Sequence, residues 1–175
     1  MNKKTIFACL ALVIAFQIAV LAAEYLGAAC PLWTGEEIRL KTVPVDPRSL
    51  FMGNYARLRY EISSVELKEP GEKKGMRQGE FVYVKLKPGP KWLFVFDGVS
   101  FEPPGSGPFI RGRLQAPRWR ESGAKYDVVY GIEAYFASGK KALALEKELR
   151  NGGVATIMVS RSGKAALKDV TAEEK

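Results

Sequence analysis

Few residue types in this chain could carry nucleophilic catalysis. Its 175 residues include no histidine, which removes Ser-His and Cys-His pairs and the commonest transition-metal ligand. The two cysteines, Cys9 and Cys30, lie in or beside the first apolar segment, so the rest of the chain has no thiol nucleophile and no disulfide. Residues 26–30 resemble a bacterial lipobox with the spacing off by one, so lipidation of Cys30 is not favoured.

The chain also lacks the common metal and phosphate motifs. Nothing in it resembles an EF-hand or an aspartate-rich calcium loop. Gly105 and Gly107 lie among prolines with no helix after them, unlike a phosphate-binding loop. We therefore predict no metal site and no cofactor.

A serine–lysine pair is the remaining nucleophilic arrangement. Ser49 lies four residues before Gly53, and Lys85 lies on a neighbouring predicted strand. A lysine base must be desolvated to work near neutral pH, yet Lys85 alternates with Val84 and Leu86, which predicts a solvent-facing side chain. A membrane-bound Ser-Lys peptidase, or another hydrolase, is therefore the alternative hypothesis for function.

Paired carboxylates offer a second route to acid–base chemistry. Asp97, Glu133 and Glu146 could meet in a cleft, but no spacing requires it. Glu146 can equally pair with Arg150 at the i,i+4 spacing of a helix. The sequence therefore assigns no catalytic residue, and a non-enzymatic role is favoured while catalysis stays open.

The elements that position these groups begin with an apolar segment at residues 5–23. It follows Lys3 and Lys4, and Gln17 is its strongly polar member. At about 1.5 Å per residue it nearly covers a hydrocarbon core of about 30 Å, and it exceeds the apolar region of a cleaved signal peptide. We predict an uncleaved transmembrane anchor over residues 1–33, with the C-terminal part exported by the positive-inside rule.

From residue 34 onward the patterning is mostly period two, which is typical of β-strands. The predicted strands are 36–43, 54–62, 81–86, 91–96, 109–114, 126–135, 154–160 and 165–170. Apolar residues at helical spacing predict one helix over 139–151. The expectation is a single α+β domain over 34–175, mainly antiparallel β as a sandwich or open barrel, with one helix in its C-terminal half.

Two local patterns sharpen this expectation. Asp97-Gly98 is a turn signal. Trp92, Phe94 and Phe96 alternate on one predicted strand face, which indicates core packing, with an aromatic groove for a peptide or lipid as the alternative.

The most distinctive stretch covers residues 45–60. It resembles the signature of the GDYXXLXY protein family, Gly-Asp-Tyr-x-x-Leu-x-Tyr, with Asn54 in place of the aspartate. Further similarity lies at residues 111–113 and 130–136, so the resemblance covers roughly residues 36–170. The residues that we take as a candidate interaction or structural motif are Asp46, Arg48, Gly53, Asn54, Tyr55, Arg57, Leu58, Tyr60, Arg111, Gly112, Tyr130 and Glu133.

The resemblance implies a bacterial, membrane-anchored protein of a family without an assigned biochemical function, some of whose members are encoded near multi-pass membrane proteins. It carries over no catalytic residues. Asn54 stands where the resemblance implies an aspartate, and Ala137-Ser138 stand where it implies Pro-Glu, so two acidic positions are neutral, which argues against a metal or acid–base role there.

The motif also has a physical interpretation of its own. Gly53 and Asn54 suit a left-handed turn, and Asp46 with Arg48 could fix the preceding loop. Leu58 and Tyr60 share a core-facing side, whereas Tyr55 and Arg57 would face outward. We interpret the motif as a shaped turn that leads into a central strand, with a binding surface as the alternative.

Charge and topology complete the hypothesis. The net charge is +8, and +7 remains once Lys3, Lys4 and Glu24 are set aside, without a dense basic run that would indicate nucleic acid. We therefore expect a single-pass protein of the bacterial inner membrane, with a periplasmic domain that binds another (multi-pass) membrane or envelope protein. Strand edges could accept a partner segment, and headgroup sensing by the basic domain is a further alternative.

Overall fold

A computed structural model describes residues 3–43, 55–66, 78–115, 125–136, 149 and 152–172. Its first element, helix α1 (Lys3–Thr34), has 32 residues and is about 48 Å long at 1.5 Å per residue. Apolar side chains cover all faces of α1 and stay exposed, Phe7 to 71%. By length and composition, α1 is the one described helix that could cross a membrane.

The rest of the described chain is dominated by strands. They are β1 (Glu36–Val43), β2 (Tyr55–Arg57), β3 (Arg59–Tyr60), β4 (Ser64–Glu66), β5 (Phe81–Pro88), β6 (Phe94–Ser100), β7 (Phe109–Leu114), β8 (Lys125–Val129), β9 (Ala134–Phe136), β10 (Gly153–Val159) and β11 (Ala165–Ala172). Short 3₁₀ turns occupy Glu61–Ser63 and Pro90–Trp92.

Nine of these strands form one sheet in the order β11-β10-β1-β6-β5-β7-β8-β4, with β3 paired to β1. Strands β2 and β9 form a separate two-stranded ladder. The β1–β6 pair is parallel, and the other pairs of the described strands are antiparallel. The prediction of an apolar N-terminal helix followed by a mainly antiparallel β architecture is therefore confirmed. The parallel β1–β6 pair was not predicted.

The core follows from the period-two patterning of the central strands. Inward-facing side chains of β1, β5, β7 and β10 alternate with exposed or half-buried ones, because successive residues of a strand point to opposite faces. The most deeply buried apolar side chains on these strands are Ile38, Leu40, Val82, Val84, Ile110, Ala155 and Ile157. The predicted hairpin at residues 154–160 and 165–170 is present as β10 and β11.

Two predicted strands are interrupted. The stretch at 54–62 keeps the expected burial, since Leu58, Tyr60 and Ile62 are buried, but its backbone divides into β2, β3 and a 3₁₀ turn. The stretch at 126–135 divides into β8 and β9, because Gly131 adopts a positive φ of 83° and turns the chain between them. Of the predicted helix at 139–151, the described residues include Leu149, which is helical and buried, so the remainder of that prediction lies outside them.

The turn predicted at Asp97-Gly98 is wrong. The register of β5 against β6 shifts between Lys85, which faces Gly98, and Leu86, which faces Phe96. Asp97 is therefore the extra residue of a β-bulge inside β6, a position that turn-forming residue types also favour. Its carboxylate lies 3.0 Å from the ammonium of Lys87.

The core packing predicted for Trp92 is also wrong. Trp92 ends the 3₁₀ turn before β6 and is highly exposed, so it does not share a strand face with Phe94 and Phe96. Phe94 is half-buried against the core, and Phe96 remains partly exposed.

Helix α1 joins the sheet through a single residue. Gly35 separates Thr34 from Glu36, and its N–H donates to the carbonyl of Pro31 at 2.9 Å. A Cβ atom at position 35 would lie 2.4 Å from that carbonyl oxygen and 2.9 Å from the backbone nitrogen of Val159. The close approach of α1 to β10 therefore requires glycine at this junction.

A second contact attaches the end of α1 to the sheet. Pro31 has no N–H, so the carbonyl of Gly27 lacks its usual donor four residues later. The ammonium of Lys164, on the turn between β10 and β11, donates to that carbonyl at 2.6 Å. The proline thus creates an unpaired acceptor, and the sheet supplies its donor.

The register also distinguishes the two ends of the sheet. Strand β1 runs away from α1, and Glu36 faces Val159, so the β10–β11 turn lies at the α1 end. Leu40 lies beside Phe94 in parallel, which places the tip of the β5–β6 hairpin at the same end. Strand β3 pairs with the last residues of β1 and lies at the opposite end.

The junction predicts a large cost for a small substitution. Gly35→Ala is expected to destabilise the chain by about 1–3 kcal/mol, because the added methyl group would push Pro31 and Val159 apart. Gly105→Ala is the matched control, since a Cβ there meets nothing within 4 Å, and we expect a change below about 0.5 kcal/mol. Urea unfolding of both variants in detergent micelles measures the difference, and equal midpoints would contradict the packing described.

Candidate functional site

Two buried tyrosines join the signature motif to the second stretch of family resemblance. The hydroxyl of Tyr60, 1% exposed, donates to the carbonyl of Ile132 at 2.5 Å. The hydroxyl of Tyr130, 7% exposed, donates to the carbonyl of Ile62 at 2.6 Å. Each tyrosine therefore bonds the backbone two residues beyond the other, and we call this reciprocal pair the tyrosine clasp.

Glu133 fixes the turn on one side of the tyrosine clasp. One carboxylate oxygen accepts the N–H of Tyr130 at 2.6 Å, and the other accepts the N–H of Gly131 at 2.9 Å. The backbone carbonyl of Glu133 accepts the N–H of Leu58 at 2.7 Å. The residue thus bonds both halves of the clasp, and its carboxylate acts as a cap for two main-chain donors.

Gly112 makes room for the clasp. A Cβ atom at this position would lie 2.3 Å from Cγ1 of Val128 and 2.9 Å from the ring of Tyr130. Glycine therefore lets the Tyr130 ring lie directly against β7. The Arg-Gly-Arg stretch and the tyrosine stretch, which are separate in sequence, belong to one packed unit.

Burial determines the protonation of both clasp hydroxyls. Loss of solvent raises the pKa of Tyr60 and of Tyr130 far above the ordinary phenol value, and the nearby Glu133 carboxylate raises both pKa values further. The two phenols therefore stay protonated and keep donating throughout the physiological range. This arrangement suits a structural role, because an acid–base catalyst needs a pKa near the working pH.

Arg111 belongs to a different surface, on the outward side of β5 and β7. Its guanidinium lies 4.8 Å from the ring centroid of Phe81, and that of Arg113 lies 4.2 Å from the same centroid. Phe81 is 40% exposed between them. We call these three residues the arginine–phenylalanine face. Beside it, Tyr83 and Phe109 make an edge-to-face contact at 5.8 Å.

The structure separates the predicted motif residues into groups. Leu58, Tyr60, Gly112, Tyr130 and Glu133 meet in the clasp, as described above. Arg57 is exposed on β2 and faces Ala134 of β9, and the backbone of Tyr55 pairs with Phe136 on the same ladder. The remaining predicted positions lie outside the described residues: Asp46, Arg48, Gly53 and Asn54.

Sequence reasoning missed the acceptors of the clasp and the partner of the arginines. The carbonyls of Ile62 and Ile132 are backbone groups, and residue type does not identify an acceptor that every residue carries. The outward direction of Phe81 could have been predicted, since period-two alternation points it away from the buried Val82. On the paired strand β7, Arg111 and Arg113 point to the same outward face.

The catalytic hypotheses find no support at the described residues. Lys85 is exposed on the outward face of β5, as its alternation predicts, and Ser49 lies outside the described residues. Asp97 pairs with Lys87, whereas the carboxylate of Glu133 binds main-chain N–H groups, so these two carboxylates do not share a site. Within the described ranges no group of three or more His, Cys, Asp or Glu side chains could hold a metal ion.

One apolar N-terminal helix followed directly by a mainly antiparallel sheet defines a β-domain protein with a candidate membrane anchor. The family model described as GDYXXLXY protein matches residues 17–170, which extends from within α1 to β11. The chain belongs to the GDYXXLXY family. Comparison with curated proteins finds no match, and comparison with solved structures finds none either.

Removal of either clasp hydroxyl is expected to destabilise the fold. Tyr60→Phe and Tyr130→Phe each leave a buried carbonyl without its donor, which costs about 1–3 kcal/mol. Tyr126→Phe is the control, because Tyr126 is half-buried and its hydroxyl is not part of the clasp. Urea unfolding of the full chain in detergent gives the free energies, and a Tyr126→Phe loss as large as the other two would contradict the assignment.

The raised pKa values predict a loss of stability in alkali. Above the ordinary phenol pKa of about 10 the unfolded chain releases tyrosine protons that the folded chain retains, so the free energy of unfolding falls as pH rises. Below that pH both states are protonated and the contribution is complete. The double variant Tyr60→Phe/Tyr130→Phe should show a shallower decline between pH 10 and 11 than the parent, and parallel declines would count against the buried phenols.

Proposed function

We propose that the protein is a membrane-anchored accessory or binding protein of the bacterial cell envelope. In this proposal α1 crosses the inner membrane once, residues 34–175 form a single periplasmic domain, and the partner is another, multi-pass membrane protein. The observation that carries the proposal is α1 itself. Its apolar side chains are exposed on every face, which water disfavours, while its last turns are bound to the sheet.

The orientation is supported by the charges that flank the helix. Lys3 and Lys4 precede the apolar stretch, and the positive-inside rule keeps such residues in the cytoplasm. The sheet then lies on the opposite side of the membrane, because it follows α1 after a single residue.

We propose that the sheet curls into an open barrel. The N–H of Arg111 on β7 donates to the carbonyl of Gly163 at 2.7 Å, which links β7 to the turn between β10 and β11 at the other end of the strand order. The hydroxyl of Tyr135 on β9 likewise donates to the carboxylate of Asp169 on β11 at 3.2 Å. Such contacts between distant strands are expected of a curled sheet rather than a flat one.

A binding role is supported by the arginine–phenylalanine face. Among the described residues, neither guanidinium forms an ion pair, although Arg113 donates to the carbonyl of Gly79 at 3.1 Å. Exposed arginine beside an exposed aromatic ring is the composition in which interface hot spots are enriched. The tyrosine clasp, in contrast, is buried and explains its residues by packing, so a partner contact is better sought on this outward face.

Topology can be tested by cysteine labelling. In a Cys9→Ser/Cys30→Ser background, Ser106→Cys places a thiol on the exposed loop between β6 and β7. A membrane-impermeant maleimide should label it in intact spheroplasts, because the proposal puts this loop outside the cytoplasm. Labelling that appears only after the spheroplasts are lysed would reject the periplasmic location.

The partner can be tested by photo-crosslinking. A photoreactive amino acid at Lys85, beside the arginine–phenylalanine face, is expected to give an adduct with one multi-pass membrane protein, and Arg111→Ala/Arg113→Ala should reduce its yield severalfold. The same group at Thr171, exposed on β11, is the matched control. Absence of an adduct at Lys85, or cleavage of a membrane protein that Ser49→Ala abolishes, would reject the binding role.

A further inference from the structure

Trp92 is the most unusual surface residue of the described chain. Its side chain is 86% exposed, whereas tryptophan is normally among the most buried side chains. Lys91 and Trp92 are also consecutive residues in the left-handed region, with φ of 55° and 62°. Bulky residues rarely adopt this conformation, and such outliers cluster at functional positions.

The backbone around Trp92 holds the hairpin tip in one shape. The N–H of Gly89 donates to the carbonyl of Leu93 at 2.7 Å, and the N–H of Leu93 donates to the carbonyl of Pro90 at 3.1 Å. A Cβ at Gly89 would lie 2.8 Å from the side chain of Val95, so the base of the tip is tightly packed. The tip, residues 89–93, is therefore a preformed projection with Lys91 and Trp92 at its summit.

This projection lies at the end of the sheet from which α1 leaves. Phe94 pairs with Leu40 in parallel, and Trp92 lines a surface pocket together with Glu37 and Arg39, so the tip lies beside the first residues of β1. The β10–β11 turn, with exposed Arg161, lies at the same end, so aromatic and cationic groups collect there.

The length of α1 brings this end to the membrane surface. A 32-residue helix spans about 48 Å, and a bilayer with its headgroups is about 40–45 Å thick. With Lys3 at the outer boundary of the inner headgroup layer and the average tilt of about 20°, α1 spans about 45 Å of membrane thickness, so Thr34 lies at the outer edge of the opposite headgroup layer. The sheet begins two residues later, so the tip lies beside that layer.

We propose that the β5–β6 hairpin tip is a second membrane contact, in which the indole of Trp92 and the ammonium of Lys91 enter the headgroup layer beside α1. The proposal rests on the membrane anchoring of the proposed function and adds the surface that orients the domain. Indole rings settle at the headgroup level, and an ammonium is attracted to anionic lipids.

Tryptophan fluorescence tests the contact in the full chain. The chain has three tryptophans, and Trp33→Phe/Trp119→Phe leaves Trp92 as the reporter. In vesicles of phosphatidylcholine and phosphatidylglycerol, lipids brominated near the headgroup should quench Trp92 at least twofold more than lipids brominated near the chain end. Lys91→Glu should reduce the quenching in these anionic vesicles, and Lys87→Glu, further along β5, should reduce it less.

The controls separate this proposal from the anchor on which it rests. Trp92→Phe/Trp119→Phe leaves Trp33 at the end of α1, and its quenching reports anchoring alone. Quenched Trp33 with unquenched Trp92 would overturn the tip contact and leave the anchor standing, whereas two unquenched reporters would reject the anchor. Burial of Trp92 that requires an added partner protein would identify the tip as a protein contact and overturn the lipid assignment.

A spin label provides a measurement that keeps all three tryptophans. Lys91→Cys in the Cys9→Ser/Cys30→Ser background carries the label at the tip. Its accessibility to oxygen should rise, and its accessibility to a water-soluble nickel complex should fall, when the protein moves from detergent to vesicles. Unchanged accessibilities would contradict the contact even if the fluorescence variants fold poorly.

Discussion

The two reciprocal tyrosine hydrogen bonds are the constraint on which the irregular half of the domain depends. Ile62 lies in the 3₁₀ turn after β3 and Ile132 lies between β8 and β9, so their carbonyls need donors from outside the strand ladders. The phenol of the opposite segment supplies each donor. Strand β3 pairs with β1, and β4 pairs with β8, so the tyrosine clasp lies between two parts of the sheet that are distant in the strand order. The same segments continue into the β2–β9 ladder.

This arrangement gives the family signature a physical explanation. Leu58 and Tyr60 are the signature residues whose side chains the structure describes, and both are buried. Their contacts are with the stretch around Tyr130, and Gly112 opens the space that the Tyr130 ring fills. Three separate stretches of resemblance thus contribute to one packed unit.

The regular parts of this fold could be predicted from sequence, because period-two patterning encodes burial directly. That pattern located β1, β5, β7 and β10 and the inward direction of Leu58 and Tyr60. It did not give the parallel pairing of β1 with β6, which depends on contacts distant in sequence. The left-handed pair at Lys91 and Trp92 also had no sequence signal, since neither residue type favours that conformation.

The one-residue junction at Gly35 has a mechanical consequence. An α-helix turns about 100° with each residue, so the direction in which each face of the sheet points is set by the rotation of α1 about its own axis. The hydrogen bond from Lys164 to the carbonyl of Gly27 opposes rotation of the sheet relative to α1. In the proposed anchored state, packing of α1 against a neighbouring transmembrane helix would therefore fix the direction in which each outward-facing side chain of the sheet points.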